Sequence, residues 1–127
     1  MRDLYSNIKA AHALVPAVRY ATVTGTTIDL KGSNRAAVVV STGDREGTGG
    51  FSLKLQESDT TTSGDFADVA AALVDSDAPA TLAGSSVYRL GYRGHKRYIR
   101  LVATASAPAG ITIGAIAVLS DLAQRPA

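Results

Sequence analysis

A chain of 127 residues, 46% of them apolar, is long enough for one domain with its own hydrophobic core. The absence of cysteine excludes disulfides, thiolate metal sites and a cysteine nucleophile, and it fits folding in a reducing cytoplasm. A formal net charge of +2 is too small to argue for nucleic acid by itself, and Trp is absent and Phe occurs twice, so the core should be thin and built from small residues.

Residues 1–16 differ in pattern from the rest of the chain. Leu4, Ile8, Ala11 and Val15 lie at helical spacings, Tyr5 and His12 form a neighbouring stripe, and Pro16 forbids a helix from continuing. A short amphipathic helix and an extended arm fit this stretch equally, and an isolated helix of that length is marginal in water. Asp3, Asn7, Lys9 and His12 interrupt any apolar run near the start, so no signal peptide is expected. No stretch approaches the roughly 18–20 apolar residues that span a bilayer, so no membrane association is expected.

From Ala17 the pattern turns to strands closed by Gly, Ser, Thr, Asp or Asn. Residues 17–23 and 26–30 flank Thr24-Gly25 and read as a hairpin. Residues 36–42 come next, then Gly43 to Gly50, whose four glycines suggest a mobile loop tip. Residues 51–57 alternate cleanly, with Phe51, Leu53 and Leu55 on one face and Ser52, Lys54 and Gln56 on the other. A polar loop, residues 58–65, leads to an ambiguous stretch up to Leu82. Residues 87–93 and 97–104 flank Gly94-His95-Lys96 and read as a second hairpin. The last run, residues 111–119, is apolar on both faces, which places it centrally in a sheet. The expected fold is an all-β antiparallel β-sandwich of eight or nine strands, with the jelly roll as one arrangement. The sandwich domain spans 17–120, after an N-terminal arm or short helix over 1–16 and before a C-terminal tail over 121–127. Val38, Val40, Leu53, Leu55, Leu101, Ile113 and Val118 should form the core.

Arg89, Arg93, His95, Lys96, Arg97 and Arg100 crowd the second hairpin. Three readings stand side by side: a patch that docks on an acidic protein surface, a solvated tip whose arginines pair with nearby carboxylates, and a nucleic-acid contact. The last is the weakest, because no RNA-binding sheet motif accompanies Tyr88, Tyr92 and Tyr98. Asp59, Asp65, Asp68, Asp75 and Asp77 match no calcium-loop spacing, and turn capping explains them more simply. His12 and His95 stand alone, and Gly47-Thr48-Gly49-Gly50 lacks the Lys and Ser/Thr of a phosphate loop. No catalytic, cofactor or metal residues are expected.

Three segments together carry a resemblance: Met1 to Ala11; Leu53-Lys-Leu-Gln-Glu-Ser-Asp59 with Phe66-Ala-Asp-Val69; and Gly91-Tyr-Arg-Gly-His-Lys-Arg-Tyr-Ile-Arg100 ahead of an Ala/Val-rich final strand. In these the chain resembles small virion proteins encoded in the head-gene region of tailed phages and prophages. The resemblance covers most of the chain and brings no catalytic residues. It implies a non-enzymatic decoration, or cement, protein on the major capsid protein, made in the bacterial host cytoplasm and located in the virion, with neighbouring copies on the shell. A head–tail connector or tail component, and a small carbohydrate-binding sandwich, are the alternatives. The contact residues expected on this basis are Leu4, Tyr5, Ile8 and His12, and the cations Arg89, Arg93, Lys96, Arg97 and Arg100, facing acidic capsid surface rather than DNA.

Overall fold

The computed structural model describes residues 5–47, 49–106 and 109–122. Ten strands lie among them: β1 (Ile8–Arg19), β2 (Val23–Thr24), β3 (Ile28–Asp29), β4 (Ser33–Glu46), β5 (Gly50–Ser58), β6 (Ala67–Asp68), β7 (Val74–Ser76), β8 (Val87–Tyr92), β9 (Tyr98–Ser106) and β10 (Gly110–Leu122). Three single 3-10 turns, Tyr5–Asn7, Ser63–Asp65 and Ala71–Leu73, are the helical elements.

The strands form two antiparallel sheets. The first has the order β1-β10-β4-β8-β7; the second has the order β2-β9-β5-β6, with β3 also paired to β9. With β2 and β3 sharing one position and β7 as an added edge, the chain visits eight positions. Positions 1, 8, 3 and 6 fall in one sheet and 2, 7, 4 and 5 in the other. That is the connectivity of a jelly roll, the sandwich expected from the strand rhythm.

Alternation explains the packing. In β10, Ile111, Ile113, Ala115, Ala117 and Leu119 are buried, while Ile116 and Val118 point outward. Opposite them β4 buries Val38 and Val40. The second sheet contributes Phe51, Leu55, Ile99, Leu101 and Ala103. Each fully buried Leu, Ile or Phe stabilises the fold by roughly 1.5–3 kcal/mol relative to exposure. Inward Thr42 is also buried, and its hydroxyl donates to Ala83 O (2.8 Å) and accepts from Ser86 N (3.0 Å), which pins the loop before β8.

Several expectations need correction. Residues 8–19 are neither helix nor free arm, because β1 pairs with β10 from Ile8↔Ser120 to Arg19↔Ile111. Register shifts flank Leu14, so Ala13 and Leu14 are both buried while Val15 is 54% exposed; the helical spacing of Ile8, Ala11 and Val15 is incidental. Pro16 is tolerated because β1 is an edge strand, where a missing N–H breaks no ladder. Neither expected hairpin exists. Residues 17–19 belong to β1 in the first sheet, whereas β2 and β3 both pair with β9 in the second. Likewise β8 pairs with β4 and β7, and β9 with β5, so Gly94–Arg97 crosses between sheets. The loop expected at 43–50 is shorter, since β4 runs on to Glu46 opposite Gly110. Val118 is outward and half-buried rather than core. Asp121 and Leu122 belong to β10 rather than to a tail; residues 123–127 lie outside the described residues.

The open side of the sandwich is closed at β1. Gly25 N donates to Leu101 O of the second sheet (2.7 Å), and Thr26 N donates to Ala13 O of the first (2.9 Å). The turn between β2 and β3 thus ties the sheets together through main-chain bonds.

Candidate functional site

The two outer faces differ in chemistry. On the second sheet, Ser52, Lys54, Gln56, Arg100 and Thr104 alternate with the core residues and point outward. Polar contacts knit this face: Lys54 pairs with Asp68 (3.2 Å), and Arg100 Nε donates to Gln56 Oε1 (2.8 Å) while its guanidinium stacks on Phe66. Gln56 and Lys54 hold the Asp68 carboxyl below its usual pKa.

The first sheet faces outward with small and apolar residues. One row across it runs His12–Ile116–Val39–Arg89; the next runs Ala10–Val118–Ala37–Gly91. Farther along, Gly114, Ser41 and Val87 share a row, Pro16 covers Gly114, and Val18 lies opposite Thr112. The Tyr20 ring lies against Gly110 at the end of β10. The large exposed hydrophobics among the described residues are Val15, Val18, Tyr20, Val87 and Ile116, and all five belong to this sheet or the residue after β1. The middle of the face carries Ala37, Val39, Gly114, Ile116 and Val118, and exposed Arg35 and Arg89 stand at its margins. Contiguous exposed apolar surface of this kind marks an interaction site more often than chance scatter does.

The cations expected to act together are split by the topology. Arg89, on β8, pairs with Asp77 (3.4 Å), and its backbone N–H on Asp77 is the main cause that holds that carboxyl below its usual pKa. Arg93 pairs with Asp75 (3.1 Å) and donates to Ala72 O (2.9 Å). Lys96 pairs with Asp59 (2.8 Å), which raises its pKa. Arg97 grips Asp29 through two bonds of 2.9 Å each and lies over the Tyr98 ring. That hydrogen bonding, with the Lys31 backbone N–H second, pushes the Asp29 pKa down to about 2. Arg100 sits on the opposite sheet from Arg89 and Arg93. Four of the aspartates considered as metal ligands, Asp59, Asp68, Asp75 and Asp77, thus serve as counter-ions; Asp65 accepts from the Thr60 hydroxyl (2.6 Å). Among the described residues no three His, Asp or Glu side chains converge as a metal site would need. No helix of the described residues is long and apolar enough to cross a membrane.

Of the N-terminal stripe, Leu4 lies outside the described residues and Tyr5 begins the first 3-10 turn. Ile8 is half-buried opposite Ser120, and His12 is exposed opposite Ile116, on the apolar face. Sequence reasoning misses Val18, Val87 and Ile116 as surface residues. The signal that points to them is the two-faced hydrophobicity of 111–119, which fits an exposed apolar face as well as a central strand. It also misses Lys31 and Arg35, which stand far from the Arg-rich segment in sequence but beside it in space. Comparison with protein-family models, with curated proteins and with solved structures finds no match.

Proposed function

We propose that this chain is a non-enzymatic virion structural protein that binds and stabilises a phage capsid shell, as a decoration protein on the major capsid protein. The observation that carries the reading is the apolar outer face of the first sheet, with Val15, Val18, Val87 and Ile116 exposed on an antiparallel scaffold. The resemblance to small head-region virion proteins supplies the partner. The jelly roll is an architecture used by capsid and lectin domains, although a fold alone does not fix a function. A protein that binds only the assembled shell shifts the assembly equilibrium by mass action, and burying this face between shell subunits is the physical means. The counter-ion pairs around it are exposed, so they steer and orient binding more than they strengthen it.

The experiment is co-sedimentation of the purified chain with expanded capsid shells, with shell melting followed by light scattering. Saturable, stoichiometric binding that raises the shell's melting temperature is the expected result. A chain that stays in the supernatant at saturating concentration overturns the proposal.

A further inference from the structure

A second surface lies at the end of the sandwich where the Gly94–Arg97 crossing meets the turn between β3 and β4. Two adjoining depressions of about 410 Å³ each meet there and share Arg35, Ala36, Tyr92, Gly94 and His95. The first is completed by Leu30, Lys31, Ser33, Asp59, Lys96 and Arg97, the second by Gly91 and Arg93 at the border of the apolar face. Together they make one groove that runs from the sandwich end onto the first sheet.

The groove's basic side chains fall into two classes. Arg93, Lys96 and Arg97 are already paired with Asp75, Asp59 and Asp29. Lys31, Arg35 and His95 are exposed, and among the described residues their side chains make no hydrogen bond or ion pair, although the Lys31 charge lies near enough to Asp29 to favour its ionised form. The lining is also held in place. Tyr92 is 8% exposed; its hydroxyl donates to Glu57 Oε1 (2.6 Å) and accepts from Lys96 N (3.0 Å), which fixes the crossing over the groove floor. Gly94 lies so close to the Tyr92 ring that a Cβ there would be 2.5 Å from the ring carbons, so the crossing is moulded to the ring. An immobilised floor with the Lys31 and Arg35 cations free of ion pairs beside it is a preorganised anion receptor.

Shape and charge choose among anions. Two linked depressions exceed what a single small oxyanion fills. The groove offers no open aromatic face for base stacking, because Tyr92 is buried and Tyr98 lies beneath Arg97. Asp59 lines it, and Asp29 and Asp75 pair with its Arg97 and Arg93, so a continuous phosphate backbone would meet carboxylates as well as cations. An extended peptide lessens that repulsion, because only alternate side chains face the groove: acidic ones can meet Lys31 and Arg35 while its N–H groups turn toward the aspartates and the remaining side chains point to solvent. We propose that this groove docks an acidic peptide segment of a protein partner, with Arg35 and Lys31 as its principal anchors. This does not depend on what covers the apolar face.

The test is a titration of the isotope-labelled full chain, followed by NMR, with an acetylated hexaglutamate peptide as probe. Hexaglutamine, inorganic phosphate and a short DNA duplex serve as comparisons. Hexaglutamate should shift the signals of Ala36, Gly94, His95 and Lys96, more weakly as salt rises. Each of Arg35→Gln and Lys31→Gln should lower its affinity by about two- to five-fold, as loss of one exposed charge pair does. Arg89→Gln, outside the groove, should leave it unchanged. Both groove positions are exposed, and an unaltered spectrum of the free variants checks that they fold. No shift at these residues, or an equal response to hexaglutamine, overturns the proposal. Phosphate acting as strongly as the peptide makes this a small-anion site instead, and tighter binding of duplex makes it a nucleic-acid contact; either result also overturns it.

Discussion

Replacing Gly25 with alanine should be among the most damaging single-methyl changes available to this fold. A Cβ at Gly25 would overlap Ala13 O and lie 2.9 Å from Leu101 O, and both acceptors are main chain, Leu101 in the β5–β9 ladder and Ala13 buried at the β1 bulge. Neither can swing aside as a side chain would, so the turn itself must retreat. Retreat breaks the bonds from Gly25 N to Leu101 O and from Thr26 N to Ala13 O, which join the two sheets. Each bond contributes about 1 kcal/mol net, and the overpacking costs about 1–3 kcal/mol. A total of about 3–5 kcal/mol should lower the melting temperature of a domain this size by about 10–20 °C. Urea and thermal unfolding of Gly25→Ala measure it. Gly64→Ala is the control, because a Cβ there meets nothing within 4 Å. Equal midpoints for the two variants would refute the tie between β1 and the turn of the second sheet.

Three more outcomes are expected from the geometry. Leu101→Ala, fully buried between the sheets, should cost about 3 kcal/mol, whereas Val118→Ala on the outer face should cost less than about 1 kcal/mol; similar costs in urea unfolding would contradict the facing of β10. Tyr92→Phe should cost about 1–2 kcal/mol, because Glu57 and the Lys96 N–H lose their shared partner. Asp29 has a folded-state pKa of about 2 against 3.8 ordinarily, so its stabilising contribution is present above about pH 4 and disappears as pH falls toward 2. Asp29→Asn should therefore be less stable than the native chain at neutral pH and converge with it near pH 2, as tracked by urea midpoints; a gap that stays constant with pH would exclude the Arg97 interaction as its source.

Period and composition make part of the fold legible in the sequence. The alternation of 51–57 identifies β5 and its inward face, and the uninterrupted apolar run of 111–119 identifies an interior strand. Connectivity is not legible, because a glycine turn between two strands looks the same whether the chain folds back or crosses to the other sheet. Gly94–Arg97 has the composition of a hairpin turn, yet Tyr92 anchors it as a crossing through its hydroxyl, a contact spaced by tertiary structure. The same ambiguity hides β1. Its bulges around Leu14 break the two-residue period, leaving Leu4, Ile8, Ala11 and Val15 to mimic a helical stripe. The charge cluster is legible as composition only. Its partners Asp29, Asp59 and Asp77 lie 12 to 68 residues away in the chain, so neither the neutralising pairs nor the uncommitted Lys31 and Arg35 can be found from local sequence.

The central claim is that the chain docks on a capsid shell through the outer face of its first sheet. The most direct measurement is shell occupancy, by quantitative mass spectrometry of sedimented particles, for the native chain and for Val18→Glu combined with Ile116→Glu. Both positions are about half exposed, at 52% and 47%, so the pair should fold normally. Stoichiometric occupancy by the native chain is expected, retained by Lys54→Glu on the second sheet and lost by the double variant. A native chain absent from the particles, or a double variant that occupies them fully, would contradict the claim.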